Sequence, residues 1–249
     1  MSIAMSEQRE YYAKLWERKG TRIWVEELAR MYEIGSAIQR YADSPPLRIL
    51  DFGCGAGWLG QFLAKSGKVT AADFELSAIE RARAEYPFVD FRLLDEKAPL
   101  YGLMPNSFDV VVSNSVLEHV ADKRQHFNII RDLLVRGGLL ILTTPLGEVW
   151  PLWSKWTGAH YPPEERFQPI EAWISSVELR KLLDDSGFAF LSWKRFYYMR
   201  MTDSISDRLM STALVQYGYI HRLRYVGSMW RWLTDSYGVY QIIIGRKPS

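Results

Sequence analysis

Asp51, Gly53, Gly55 and Gly57 alternate along Asp51-Phe-Gly-Cys-Gly-Ala-Gly57, just after the apolar pair Ile49–Leu50 and just before Trp58, Leu59, Phe62 and Leu63 at helical spacing. That order predicts a strand, a tight turn and a helix. Glycines in such a turn admit positive φ and leave bare main chain against which a ligand can lie. The acid in front of them selects the ligand's charge, because a carboxylate repels a pyrophosphate and attracts a cation. Two more acids recur at strand ends further on. Asp73 closes Lys68-Val-Thr-Ala-Ala-Asp73, ~20 residues past the glycines, where a carboxylate can chelate a vicinal diol. Asp95 follows the expected strand Val89–Leu94, in which apolar and charged residues alternate over Val89–Leu93. His119 and His160 are candidates to take a proton from a reacting hydroxyl, since histidine titrates near neutrality.

Gly55-Ala-Gly57-Trp-Leu-Gly60 also satisfies G-x-G-x-x-G, the dinucleotide fingerprint. No Tyr-x-x-x-Lys pair and no separate substrate domain supports that reading. A turn without a ligand is a third possibility, although three alternating glycines weaken a fold unless close approach is needed. The pattern Asp51-x-Gly53-x-Gly55-x-Gly57 resembles motif I of the class I S-adenosylmethionine (SAM)-dependent methyltransferases. The resemblance implies SAM as cofactor and S-adenosylhomocysteine as product. It places Asp51 near the methionine end and Gly53, Cys54, Gly55 and Gly57 beneath it. It also assigns Asp73 and Phe74 to the cofactor, Asp95 to the adenine amino group and Asn114 to the end of the fourth strand.

The elements that must position these groups follow from periodicity. Residues 7–42 read as helical, with Tyr12, Leu15, Trp16, Trp24, Leu28, Met31 and Tyr32 near helical spacing. Ser44-Pro45-Pro46 breaks the pattern. Strands are expected over Leu47–Phe52, Lys68–Asp73, Val89–Leu94, Phe108–Ser113, Leu139–Thr144, Phe188–Phe196 and Tyr240–Arg246. Helices are expected over Trp58–Ser66, closed by Gly67, then Ser77–Glu85, from Asp122 to Val135, and from the capping box Ser175–Glu178 through Asp185. Alternating strands and helices predict an α/β fold, a Rossmann-like doubly wound sheet. The resemblance adds that it is seven-stranded and mostly parallel, with an antiparallel last strand. The chain divides into an N-terminal helical lid over 1–46 and a SAM-binding domain over 47–249, with acceptor-binding insertions at 146–173 and 197–236.

Composition sets bounds. The 249 residues are 48% hydrophobic, which suits a sizeable core. A formal charge of +2 gives no reason to expect nucleic acid. Cys54 is the single cysteine, so neither an intrachain disulfide nor a cysteine-rich zinc site is expected, and no metal-ligand spacing is present. The first twenty residues lack a signal-peptide core, and no stretch approaches the ~20 apolar residues of a membrane span. A cytoplasmic location is expected. Seven of the ten tryptophans lie within 150–173 and 193–232, where Trp150, Trp153 and Trp156 step by three. They read as an aromatic cap and acceptor pocket, or as a patch for peripheral membrane contact, since tryptophan with arginine suits the interface.

Ser113–Val120, with Leu117-Glu118-His119, resembles the corresponding segment of small-molecule methyltransferases of the ubiquinone-biosynthesis type. Arg136-Gly137-Gly138 through Pro145 resembles the next segment, with Arg136 where that family usually has proline. The resemblance implies O-methylation of a small, bulky or aromatic-rich acceptor. His119 is then the first candidate base and His160 the second. Asn114-Ser-Val-Leu lacks the Asn/Asp-Pro-Pro-aromatic sequence of nucleobase methyltransferases. Nitrogen or carbon acceptors, a lipid-linked or glycan acceptor, and a SAM-fold scaffold without activity are the alternatives. Oligomeric state is not legible.

Overall fold

A computed structural model describes residues 7, 10–12, 14–15, 25–43, 45–148, 172–196 and 238–249. In chain order the elements are α1 Val25–Tyr41, β1 Leu47–Phe52, α2 Trp58–Leu63, β2 Gly67–Asp73, α3 Leu76–Glu85, β3 Asp90–Leu93, β4 Phe108–Asn114, α4 Lys123–Leu133, β5 Leu134–Pro145, α5 Ser176–Asp185, β6 Ala189–Phe196 and β7 Tyr240–Arg246. Residues 7, 10–12, 14 and 15 are also helical. The strands form a seven-stranded sheet ordered β3-β2-β1-β4-β5-β7-β6. β1 through β5 pair in parallel, and β7 runs antiparallel to both β5 and β6. The expected mostly parallel sheet with an antiparallel last strand is therefore present.

Strand residues alternate between two apolar layers because successive side chains leave opposite faces. Ile49, Val69, Val110, Val112, Ile141 and Ile242 pack under α1, α2 and α3. Leu50, Phe52, Val111, Leu140, Leu142 and Ile243 pack under α4 and α5. Burial on both faces explains why β4 reads as an unbroken Val110-Val111-Val112 run, each fully buried. The helices stop and start where the sequence said they would at several points. Asp122 caps α4 by accepting from the Gln125 amide at 2.8 Å, and Ser175 and Glu178 form the reciprocal capping box of α5. Gly187, at φ 76, is the left-handed residue after α5.

Three expectations are corrected. Gly67 is not a left-handed helix stop: α2 ends at Leu63, and Gly67 is the first residue of β2. Its glycine is needed because a Cβ there would lie 2.0 Å from the Leu47 carbonyl oxygen. α4 ends at Leu133 and β5 begins at Leu134, so Gly137 and Gly138 lie within β5 rather than before it, where the β4–β5 register shifts between Leu134 and Leu139. Leu28 and Met31, both near helical spacing in α1, do not share one environment: Met31 packs against the core and Leu28 faces out. Leu28 is 42% exposed, whereas Ala29, Ile34, Ala37 and Ile38 are buried together with the charged Glu27, Arg30 and Glu33. These buried charges are paired, Glu27 with Arg30 and Glu33 with Lys194 of β6. Trp16 and Trp24 lie outside the described residues.

Candidate functional site

The chain runs β1, β2, β3 to one edge and then returns to place β4 on the other side of β1. The carboxyl ends of β1 and β4 therefore diverge at a topological switch point, where open α/β sheets bind ligands. Asp51 and the glycine turn stand at one lip, Asn114 and Ser115 at the other. Val116 joins them, its Cγ2 lying 2.4 Å from where a Gly53 Cβ would be.

The turn is held from below and from the side. The amides of Gly53 and Cys54 both donate to the Ala72 carbonyl, at 2.8 and 3.1 Å. Gly53, Gly55 and Gly57 have φ of 86, 50 and 80, all in the left-handed region. At Gly53 and Gly57 the space a Cβ would need is filled by the protein itself, by Val116 in one case and by Phe91 and Ala82 in the other. Those two glycines are required by backbone conformation and internal packing, rather than by a ligand lying against them as the spacing alone suggested. Cys54 is buried, and burial raises its thiol well above the usual range, so it packs rather than reacts.

Asp51 is 1% exposed, and its Oδ2 has no hydrogen-bond partner among the described residues. Burial pushes its carboxyl up to about 7, and the negative charge of Asp73 adds to the effect. A buried, unsatisfied carboxylate oxygen beside a glycine turn is costly unless a donor or cation arrives. Asp73 is placed to shape the same turn: its Oδ2 accepts from the Gly55 amide at 2.8 Å and its Oδ1 from the Glu75 amide at 3.0 Å. Burial holds its carboxyl above the ordinary aspartate range, against the pull of those amide donors. Phe74 meets Tyr101 edge-on at 4.8 Å. Asp95 is exposed and caps its own turn, accepting from the Lys97 amide at 2.9 Å.

On the β4 side, Asn114 Oδ1 accepts from the Thr143 hydroxyl at 2.8 Å, which fixes the amide with its NH2 group turned elsewhere. Ser115 follows at φ 54, a strained conformation for a residue with a side chain. His119 ends a 3-10 turn over Leu117–His119 and is largely covered, with 13% of its side chain exposed. The Glu118 carboxylate lies beside it, Oε1 to Nε2 at 3.7 Å. Glu118 is itself buried, and its Oε2 accepts from the Thr144 hydroxyl at 2.9 Å. Lys123 closes the turn by donating to the carbonyls of Leu117 and Val120 at 3.1 and 3.0 Å. His160 lies outside the described residues, as do Trp150, Trp153 and Trp156.

Sequence reasoning missed Arg30. It enters from α1, is 7% exposed, donates from Nη1 to the Ser115 hydroxyl at 3.0 Å, and stacks its guanidinium on Tyr240 at 5.0 Å. Its Nε has no partner among the described residues. A lone arginine among the other charges of a helix gave no signal. Tyr101 was also missed; it and Leu100 hold left-handed φ of 56 and 48, which places the Tyr101 ring between Phe74 and Phe52.

One lip thus carries a buried carboxyl with an unpartnered oxygen, and the other a buried guanidinium, paired with Glu27 at 3.9 Å, whose Nε has no partner among the described residues. A zwitterionic amino-acid group with a further positive centre answers both, so the residues present fit SAM. A diphosphate would face Asp51 and Asp73 together.

A methyltransferase-domain family model matches residues 24–192. The chain is 29% identical over 178 residues to the ubiquinone biosynthesis O-methyltransferase of Dinoroseobacter shibae, covering 68% of this chain and 71% of that one. It is 30% identical over 178 residues to the enzyme of the same name from Ruegeria sp., covering 68% and 72%. Among solved structures it resembles a SAM-dependent methyltransferase from Mesorhizobium loti (20% identity, 86% and 97% covered, TM-score 0.57). It also resembles a methyltransferase solved with the Haloferax volcanii Trm112 activator (15% identity, 100% and 99% covered, TM-score 0.62).

Fold and site define a Rossmann-like methyltransferase. The chain belongs to the methyltransferase-domain family, and SAM is its methyl donor.

Proposed function

We propose that this enzyme methylates a hydroxyl oxygen of a small, bulky aromatic acceptor, with His119 as general base. SAM, when bound, supplies an electrophilic methyl on a sulfonium that loses its charge on transfer. The protein's work is therefore alignment, exclusion of water and removal of the acceptor proton. Asp51 and the Gly53–Gly57 turn take the ammonium side of the donor, Arg30 its carboxylate, Asp73 and Phe74 the ribose side, and Asp95 and Asn114 the remaining edges. The observation that carries the acceptor reading is His119, covered, flanked by a buried carboxylate and standing at the same strand end as Asn114. The relatives named as ubiquinone biosynthesis O-methyltransferases support oxygen as the atom and a small molecule as the acceptor.

The division into a lid over 1–46 and a catalytic domain over 47–249 belongs to this reading. So does an acceptor wall built from 146–173 and 197–236, with His160 as a second proton acceptor. Their tryptophans also suit peripheral contact with the cytoplasmic face of a membrane. No described helix is long and apolar enough to cross one.

The test is transfer of labelled methyl from SAM to a panel of catechols and phenols, with and without a prenyl chain. Methyl ethers are the expected products. Transfer to amines or ring carbons alone, or to nothing in the panel, overturns the reading. His119→Ala should lower turnover by roughly 100-fold, the usual scale of a general base, with SAM affinity nearly unchanged.

A further inference from the structure

We propose that Tyr101 is a positioning residue for the adenosine half of SAM. Its ring sets Phe74 and its carbonyl sets Asp95, so one residue beyond β3 ties together the ends of β1, β2 and β3. This deepens the cofactor reading and rests on it, because it takes Phe74 and Asp95 to meet the donor.

The backbone of this turn is unusual. Leu100, Tyr101 and Gly102 hold φ of 48, 56 and 82 in succession. Residues with a Cβ visit that region singly and at a cost, so two of them before a glycine persist only where surrounding contacts enforce the conformation. Those contacts reach three strand ends. The Tyr101 ring lies 6.1 Å from Phe52, the last residue of β1, and 4.8 Å from Phe74, which directly follows β2. The Tyr101 carbonyl accepts from the amide of Asp95, two residues past β3, at 3.2 Å. Two further bonds close the loop: the Ala98 amide donates to the Asp95 carbonyl at 3.1 Å, and the Tyr101 amide to the Ala98 carbonyl at 3.0 Å.

Ring and carbonyl have separate effects. Phe74 and Tyr101 meet at 85°, a favoured aromatic geometry, and both pack against the apolar layer under α4 and α5. Phe74 is half-buried and keeps surface to offer a ligand. The left-handed run turns the Tyr101–Gly102 peptide back so that its carbonyl meets Asp95. The Asp95 Oδ1 is committed to the Lys97 amide at 2.9 Å, which leaves Oδ2 to accept from an exocyclic amine. The ring therefore governs how tightly any purine nucleoside is held, and the carbonyl governs which purine is preferred.

Calorimetry on the full-length protein with S-adenosylhomocysteine and S-inosylhomocysteine tests this, because the second carries an oxo group in place of the adenine amine. Wild type should prefer the adenine form by about tenfold or more. Tyr101→Phe keeps ring and turn and should match wild type. Tyr101→Gly accepts the left-handed backbone but removes the ring, so both ligands should weaken by about tenfold while the preference persists. Gly102→Val does the reverse. A Cβ there meets nothing nearer than the Ala98 Cβ at 4.0 Å, so the change acts on φ rather than on packing. The Tyr101 carbonyl should then leave Asp95, and the preference should fall to about threefold or less. Unchanged affinities in Tyr101→Gly overturn the role of the ring. An unchanged preference in Gly102→Val overturns the tether, since general destabilisation weakens both ligands alike and leaves their ratio alone. Should Gly102→Val melt early, Gly102→Ala carries the same backbone strain and takes its place. Failure of the cofactor reading shows separately, in wild type: binding of neither ligand, or equal binding of both, ends that reading and this proposal with it.

Discussion

Asp73 Oδ2 accepts a hydrogen bond from the Gly55 amide at 2.8 Å, across a separation of 18 residues. The acid that ends β2 thus fixes the shape of the turn that follows β1. Its second oxygen fixes the start of α3 through the Glu75 amide. One side chain links two strand ends before any ligand arrives.

Asp73→Ala should therefore lower both stability and SAM affinity, each by roughly 1–3 kcal/mol for lost charge-assisted hydrogen bonds. Asp73→Asn keeps one acceptor oxygen and should lose less stability than Ala. Thermal unfolding and calorimetry with SAM separate the two effects. Loss of affinity without loss of stability would mean that Asp73 only touches ligand.

Asp51 should make SAM binding depend on pH. Its carboxyl sits at about 7 in the folded protein, against an ordinary value near 3.8. The folded state then holds a proton that the unfolded state has released between those values. The stabilising contribution is full below the unfolded pKa and is lost as pH rises through about 7. Only the ionised form attracts a cationic donor, so SAM affinity should increase through the same range. Asp51→Asn should raise the stability of the ligand-free enzyme above pH 7, weaken SAM by about tenfold or more, and flatten the pH dependence.

His126 predicts the opposite slope. It is buried, hydrogen-bonded to the Ser113 hydroxyl at 3.0 Å and stacked on Phe52 at 5.2 Å. Burial, with the Lys123 charge in support, depresses its pKa from 6.5 to about 4. Protonation then favours the unfolded chain, so this contribution is present above pH 6.5 and is lost as pH falls towards 4. The term opposes that of Asp51 over the same window, and single variants are needed to expose each. His126→Gln should flatten the acid limb of the stability curve measured in denaturant, and an unaltered limb would contradict the assignment.

Gly53→Ala should be destabilising for two separable reasons. The new Cβ would meet Val116 at 2.4 Å, and φ stays at 86. Adding Val116→Ala should remove the clash and leave a residual penalty on the order of 1 kcal/mol for the left-handed backbone. Full recovery in the double variant would show that sterics alone required the glycine.

The segment between β5 and α5 has stitched stems. Leu146 bridges Ile174, the Gly147 amide donates to the Ile174 carbonyl at 2.9 Å, and Glu148 accepts from the Ser176 amide at 2.7 Å. A Cβ on Gly147 would lie 2.8 Å from the Ile174 carbonyl carbon. Gly147→Val should therefore loosen these stems, increase proteolysis of the chain between them, and leave SAM affinity close to that of wild type.

Much of this protein was legible in its sequence because local chemistry dictated it. The acidic ends of β1 and β2, the positive-φ glycines of the β1–α2 turn, the Asp122 cap and the Ser175–Glu178 box depend on neighbours a few residues away, and each stands where the sequence put it. The order of motifs was likewise enough to predict seven strands and a cofactor crevice. Folding alone decided what the distant pieces do to one another. The desolvated oxygen of Asp51, the arrival of Arg30 beside Ser115 from a helix whose charges gave no such signal, and the Tyr12 ring laid on His119 all depend on residues far apart in the chain. Their roles come from desolvation and from which charges and rings end up adjacent, quantities that spacing along a chain does not encode.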